Sequence, residues 1–168
     1  MLGKMELKDT AKTIGKNIIN AFKNLKLPSI TNNSGFTLAM IPDTIVARRN
    51  MLVQKLSQLI GIQQYCVDLR DSVSIIKSSI KEIMFRASTS KESTLAALNL
   101  MDVIVHAKYI PPQTQPHGNT QASLHINSMF ELRCRIKRLG VVKLTIGQTA
   151  KGKIVYCITK FYFEKIKK

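Results

Sequence analysis

The stretch SMFELRCRIK, residues 128–137, alternates between apolar and polar positions from Phe130 onward. Phe130, Leu132, Cys134 and Ile136 fall on one side of an extended chain; Glu131, Arg133, Arg135 and Lys137 fall on the other. Period two is the mark of a strand with one face on a core and one turned outward. VVKLTIGQ, residues 141–148, repeats the pattern, with Val142, Leu144 and Ile146 opposed to Lys143 and Thr145. KIVYCITKFYF, residues 153–163, is rich in the β-branched and aromatic side chains that strands favour. Between these runs, RLG (138–140) and TAKG (149–152) are short enough for hairpin turns, with Gly140 and Gly152 available for positive φ. The C-terminal third therefore reads as an antiparallel meander, to which AKYI, residues 107–110, can add a strand.

Upstream the period changes to that of helices. Residues 42–61 have Pro42 and Asp43 as start signals and Gly61 as a stop. Residues 62–88 place Val67, Val73, Ile76, Ile80, Ile83 and Met84 mostly three or four apart, which predicts one helix. Residues 89–107 follow, with Ser90 and Ser93 as caps and Leu95, Leu98, Met101 and Val105 as a face. Near the start, Leu7, Ile14, Ile18, Phe22 and Leu25 share a stripe on an expected helix from about Met5 to Lys26. That stripe suits a core-facing or partner-facing helix better than a membrane-surface one. The expected class is α+β: N-terminal helices followed by an antiparallel β-meander of three to five strands. Residues 1–90 form the helical region and 91–168 the sheet-bearing domain.

Charge narrows the function. Twenty-six Lys and Arg against ten Asp and Glu give a formal charge of +16. From Leu132 to Lys168 there are eleven basic residues and one acidic, Glu164, so over half of that charge lies in under a quarter of the chain. Edge protection by lysine explains a few such residues but not eleven. A cationic sheet face points to a polyanion, and the phosphate backbone of a nucleic acid fits best. Candidate backbone contacts are Arg133, Arg135, Lys137, Lys143, Lys151, Lys153 and Lys160. Cys66, Cys134 and Cys157 show no metal spacing, and no cofactor or metal is expected. Buried reduced thiols are the leading reading of the three, with a Cys134–Cys157 bridge open if their strands are neighbours. No apolar run reaches the ~18 residues of a membrane span, and no signal-peptide core is present.

All three histidines fall in HAKYIPPQTQPHGNTQASLH, residues 106–125, just ahead of the basic strands. The order NLMDVIVHAKYI (99–110), PPQTQPHGNT (111–120), then LHINSMFELRCRIKRLGVVKLTIGQTAKGKIVYCITK (124–160) resembles a nuclease superfamily. It groups barnase, EndoU, the tRNA-cleaving colicins and RelE, with small nuclease domains of phage polyproteins and polymorphic toxins. The resemblance covers roughly Asn99 to Lys160 and rests on strand order and residue class. It implies metal-independent RNA cleavage, with tRNA as substrate, an acidic immunity protein as partner and the bacterial cytoplasm as the place of action. In that chemistry the ribose 2′-OH attacks the adjacent phosphate while a base and an acid move protons and cations hold the phosphorane. His106, His117 and His125 are the candidate acid and base, expected to converge beside Lys108, Arg133, Lys143 and Thr145; Tyr156 is a further catalytic candidate. The alternative is a non-enzymatic basic module that holds nucleic acid or serves a phage-associated structural role.

Overall fold

In the computed structural model, residues 26–116 and 124–160 are described. The expected N-terminal helix lies outside them, as does His117. Thr44 opens the first described α-helix, α1 (Ile45–Leu56): its hydroxyl accepts from the Ala47 N–H at 3.2 Å. A single 3₁₀ turn, Ser57–Leu59, carries the chain to Gly61, whose φ of 90° turns it away.

The single helix expected over residues 62–88 is not formed. Its first half is a hairpin, β2 (Gln63–Cys66) and β3 (Asp71–Ser74), and only α2 (Lys77–Ala87) is helical. Arg70 at the hairpin turn takes a positive φ of 52°. Cys66, Val73 and Ile75 are fully buried. Cys66 and Val73, seven residues apart, would also share a helical face, so periodicity alone does not separate the two states over so short a run. The next segment divides into α3 (Lys91–Ala97) and α4 (Leu100–His106) at Leu98–Asn99. Ser90 caps α3 as expected, accepting from Ser93 N–H at 3.0 Å. The Ser93 hydroxyl instead accepts from the Lys160 backbone N–H, also at 3.0 Å, and so pins helix to sheet.

Four further strands follow β1 (Ser29–Ile30) and the β2–β3 hairpin: β4 (Lys108–Thr114), β5 (Ser128–Ile136), β6 (Gly140–Thr149) and β7 (Gly152–Lys160). β5, β6 and β7 form the expected meander, with Arg138 and Gly140 at positive φ in one turn and Gly152 in the other. β4 pairs antiparallel with β5, and β1 continues along the same edge in parallel, opposite Arg135 and Ile136. On the far side β7 pairs parallel with β3, and β3 with β2. The fold is thus α+β, with four α-helices and a curled sheet of seven strands among the described residues. Three of those strands come from the half expected to be helical. The curl brings the β2–β3 turn to β4, where Asp68 Oδ2 accepts the Tyr109 N–H at 2.6 Å.

The main core lies between one face of this sheet and the helices. Leu132, Cys134, Ile136, Val142, Leu144, Ile146, Val155 and Ile158 meet Leu52, Ile80, Ile83, Leu95, Leu100 and Ile104. A fully buried side chain of this size contributes about 1.5–3 kcal/mol, so the helices are held chiefly by covering this face. The same cluster includes residues on both sides of position 90, so the division expected there falls inside one core. Arg48, itself buried, locks α1 to its neighbours through backbone carbonyls, donating to Ser88 O at 2.7 Å, Asp43 O at 2.8 Å and Pro42 O at 3.1 Å.

Candidate nucleic-acid interface

Cross-strand register sets the outer face, because paired residues share a side of the sheet. Lys108 on β4 pairs with Arg133 on β5, which pairs with Lys143 on β6, which pairs with Thr159 on β7. The neighbouring row is Ile110, Glu131, Thr145 and Cys157. The register therefore puts Lys108, Arg133, Lys143 and Thr145 on one side of the sheet, with Glu131 beside them. Glu131 was not singled out from sequence as a site residue; the signal was present as the one acidic residue in a basic alternation.

The Glu131 carboxylate is held by the cations around it. Arg133 Nε donates to its Oε2 at 2.6 Å, the Arg133 Nη2 closes a second contact, and Lys143 Nζ stands 3.9 Å from Oε1. The Arg133 side chain is 11% exposed, while Glu131 and Lys143 each keep about a third of theirs open to solvent. Arg133 is thus better placed to orient Glu131 than to meet a solvent-borne phosphate. Arg135, two residues along the strand on the same side, is exposed, and so is Lys108.

Not every expected cation joins this row. Lys153 pairs with Gln148 and Val73 and so lies on the opposite face; its Nζ bonds Asp71 Oδ2 at 2.8 Å and sits 5.4 Å from the Phe130 ring centroid. This contact holds the Asp71 carboxyl below its usual range, with the lysine hydrogen bond as the main cause. Lys160 pairs with Val142 and is likewise on the core side. Lys151 is in the β6–β7 turn, and Lys137, beyond the end of β5, lines a separate cavity of about 500 Å³ with Asn32, Leu38 and Leu95.

The two described histidines, His106 and His125, lie apart. His106 ends α4, its Nδ1 2.9 Å from Asp102 O, and lines a cavity of about 570 Å³ with Lys108, Pro28, Val67 and Asp68. His125, at a positive φ of 56°, lines another of about 440 Å³ with Lys151, Ile76 and Ile154. Lys108 pairs at Arg133, whereas the strand that His125 leads into begins at Ser128, five residues or about 17 Å away along β5. His106 is therefore the described histidine that adjoins the cation row.

A β-bulge decides what β7 presents. Thr145 pairs with Cys157 and Ile146 with Val155, so Tyr156 is the extra residue. Tyr156 and Cys157 consequently both join the small outer cluster with Ile126, Met129 and Ile154, while Val155 and Ile158 stay on the main core. Ile126 seats on Gly147: a Cβ there would lie 2.8 Å from its Cδ1 and 3.0 Å from its Cγ1. Cys134 and Cys157 are separated by β6 and belong to different clusters, two strand spacings or about 10 Å apart. That is beyond disulfide reach, and all three cysteines are free and buried. Burial pushes the Cys134 and Cys157 thiols up to about 12.

Among the described residues no helix is long and apolar enough to cross a membrane, and no group of three His, Cys, Asp or Glu is placed to hold a metal ion. The chain matches no protein-family model, and comparison with curated proteins and with solved structures returns no match.

Proposed function

We propose that the outer face of the β4–β5–β6 sheet binds RNA through its phosphates and cleaves it by attack of the ribose 2′-OH. The observation that carries this reading is the Lys108–Arg133–Lys143 row standing beside Glu131 and Thr145. Lys108 and Lys143 neutralise phosphate charge, and Arg133 fixes the Glu131 carboxylate. Glu131 takes the proton of the 2′-OH as its oxygen bonds to phosphorus, giving a cyclic phosphate. His106, which shares a cavity with Lys108, protonates the departing 5′-oxygen. Thr145 donates a hydrogen bond toward the phosphorane, whose added charge the lysines stabilise. A tRNA substrate, a toxin role and an acidic immunity partner rest on the family resemblance of residues 99–160. Charge supports such a partner, because an acidic surface would associate rapidly with a chain of +16 and cover this face.

The ion pairs that hold Glu131 favour a second reading, a binding module without chemistry, since a carboxylate oxygen already engaged by a guanidinium is occupied where a substrate proton would have to go. Incubation of the purified chain with total RNA in EDTA separates the two. Discrete fragments bearing 2′,3′-cyclic phosphate ends are expected from cleavage; intact RNA in retarded complexes would leave binding alone.

A further inference from the structure

The β7 side of the outer face carries a second cationic group that comes from a helix. Arg86, in the last turn of α2, donates from Nη2 to the Tyr156 hydroxyl at 3.0 Å, and its guanidinium carbon lies 5.3 Å from that ring's centroid. Its Nε donates to Glu82 Oε2 at 2.8 Å, one turn earlier on the helix. These bonds use two of the five donors of a guanidinium fork. The Arg86 side chain is 53% exposed, whereas that of Glu82 is only 13% exposed. The carboxylate thus anchors the arginine from below and leaves its other edge facing solvent. Cys157 stands between this group and the cation row: it pairs with Thr145, and its thiol feels the charges of Arg86, Glu82 and Lys143.

From this placement we infer that Arg86, held in position by the hydroxyl of the buried Tyr156, forms a second phosphate subsite, so that the face takes an RNA strand lying across the β-strands from Lys108 to Arg86. The inference rests on the reading of the outer face as an RNA surface. From β4 to β7 are three strand spacings, about 14 Å, and Arg86 extends the path further. That length spans several nucleotides, against a rise of about 3.4 Å per nucleotide in a stacked strand. The face then prefers an oligonucleotide to a dinucleotide, since only the longer strand reaches both the row and the helix. Arginine suits the role, because its planar fork can meet two phosphate oxygens while two donors stay with the protein.

Fluorescence anisotropy of the full chain with labelled, uncleavable 2′-O-methyl oligouridines tests this. Arg86→Gln is expected to weaken a hexamer by about tenfold, the loss of one charged hydrogen bond, and to leave a dinucleotide unchanged. Equal losses at both lengths, or no loss for the hexamer, would overturn the subsite. Should Arg86→Gln lose its melting transition, Glu82→Gln gives the converse readout: removing the competing charge should tighten the hexamer alone, and unchanged or weaker hexamer binding counts against the subsite. Lys143→Gln reads the underlying face separately. It should weaken both lengths, and if it weakens neither, the face itself is misassigned whatever Arg86 does.

Discussion

At the scale of single residues, Glu131 is the point on which chemistry and mere binding divide. Its carboxylate lies beside the cation row, tied to Arg133 and near Lys143. Glu131→Gln keeps the shape and removes the base. Single-turnover cleavage should fall by roughly two to four decades, the usual contribution of proton transfer, while RNA affinity is kept or slightly raised by the lost negative charge. His106→Ala should lower cleavage similarly, and His125→Ala, at the other end of β5, should not. Equal rates for all three variants and the parent would remove Glu131 and His106 from the chemistry. Residue type made His106 legible as a candidate, since histidine alone titrates near neutrality without help. Glu131 was harder to see: in the sequence it is one acidic residue on a polar strand face, and only register shows which cations surround it.

Secondary-structure elements were legible in proportion to the length of their pattern. The alternation of residues 128–146 covers most of two strands and fixes their faces, and Gly140 and Gly152 mark their turns. The β2–β3 hairpin was not legible, because four-residue strands carry too few positions to distinguish period two from 3.6. The bulge at Tyr156 escaped for a related reason. A single inserted residue reverses the alternation after Val155, and nothing in VYCI shows where pairing slips. The neighbouring strand offers a packing test next to that bulge. Gly147 lies on β6 under Ile126, where any Cβ intrudes on two carbons of that side chain. Gly147→Val should expel Ile126 from the small outer cluster and destabilise the fold by about 1–3 kcal/mol, the ordinary cost of overpacking. Thermal or urea unfolding gives the value. A stability equal to that of the parent would mean that Ile126 does not seat there.

For the whole molecule, charge points to a polyanionic partner, while topology decides which cations share a face. The sequence places its positive charge in the C-terminal strands, but the sheet sends Lys153 and Lys160 to the core side and Lys137 to a separate cavity. What remains on the outer side is a shorter row, Lys108 and Lys143 about Arg133, with Arg135 beside it. The central claim is that this row holds the phosphates of RNA. The salt dependence of binding tests it most directly, because each neutralised phosphate contributes about −0.7 to the slope of log affinity against log salt for a single strand. Measured on a 2′-O-methyl oligonucleotide, the Lys108→Gln/Lys143→Gln double variant should show a slope shallower than the parent's by about 1.4. Parallel lines for the two proteins would contradict the account and place the RNA elsewhere on the molecule.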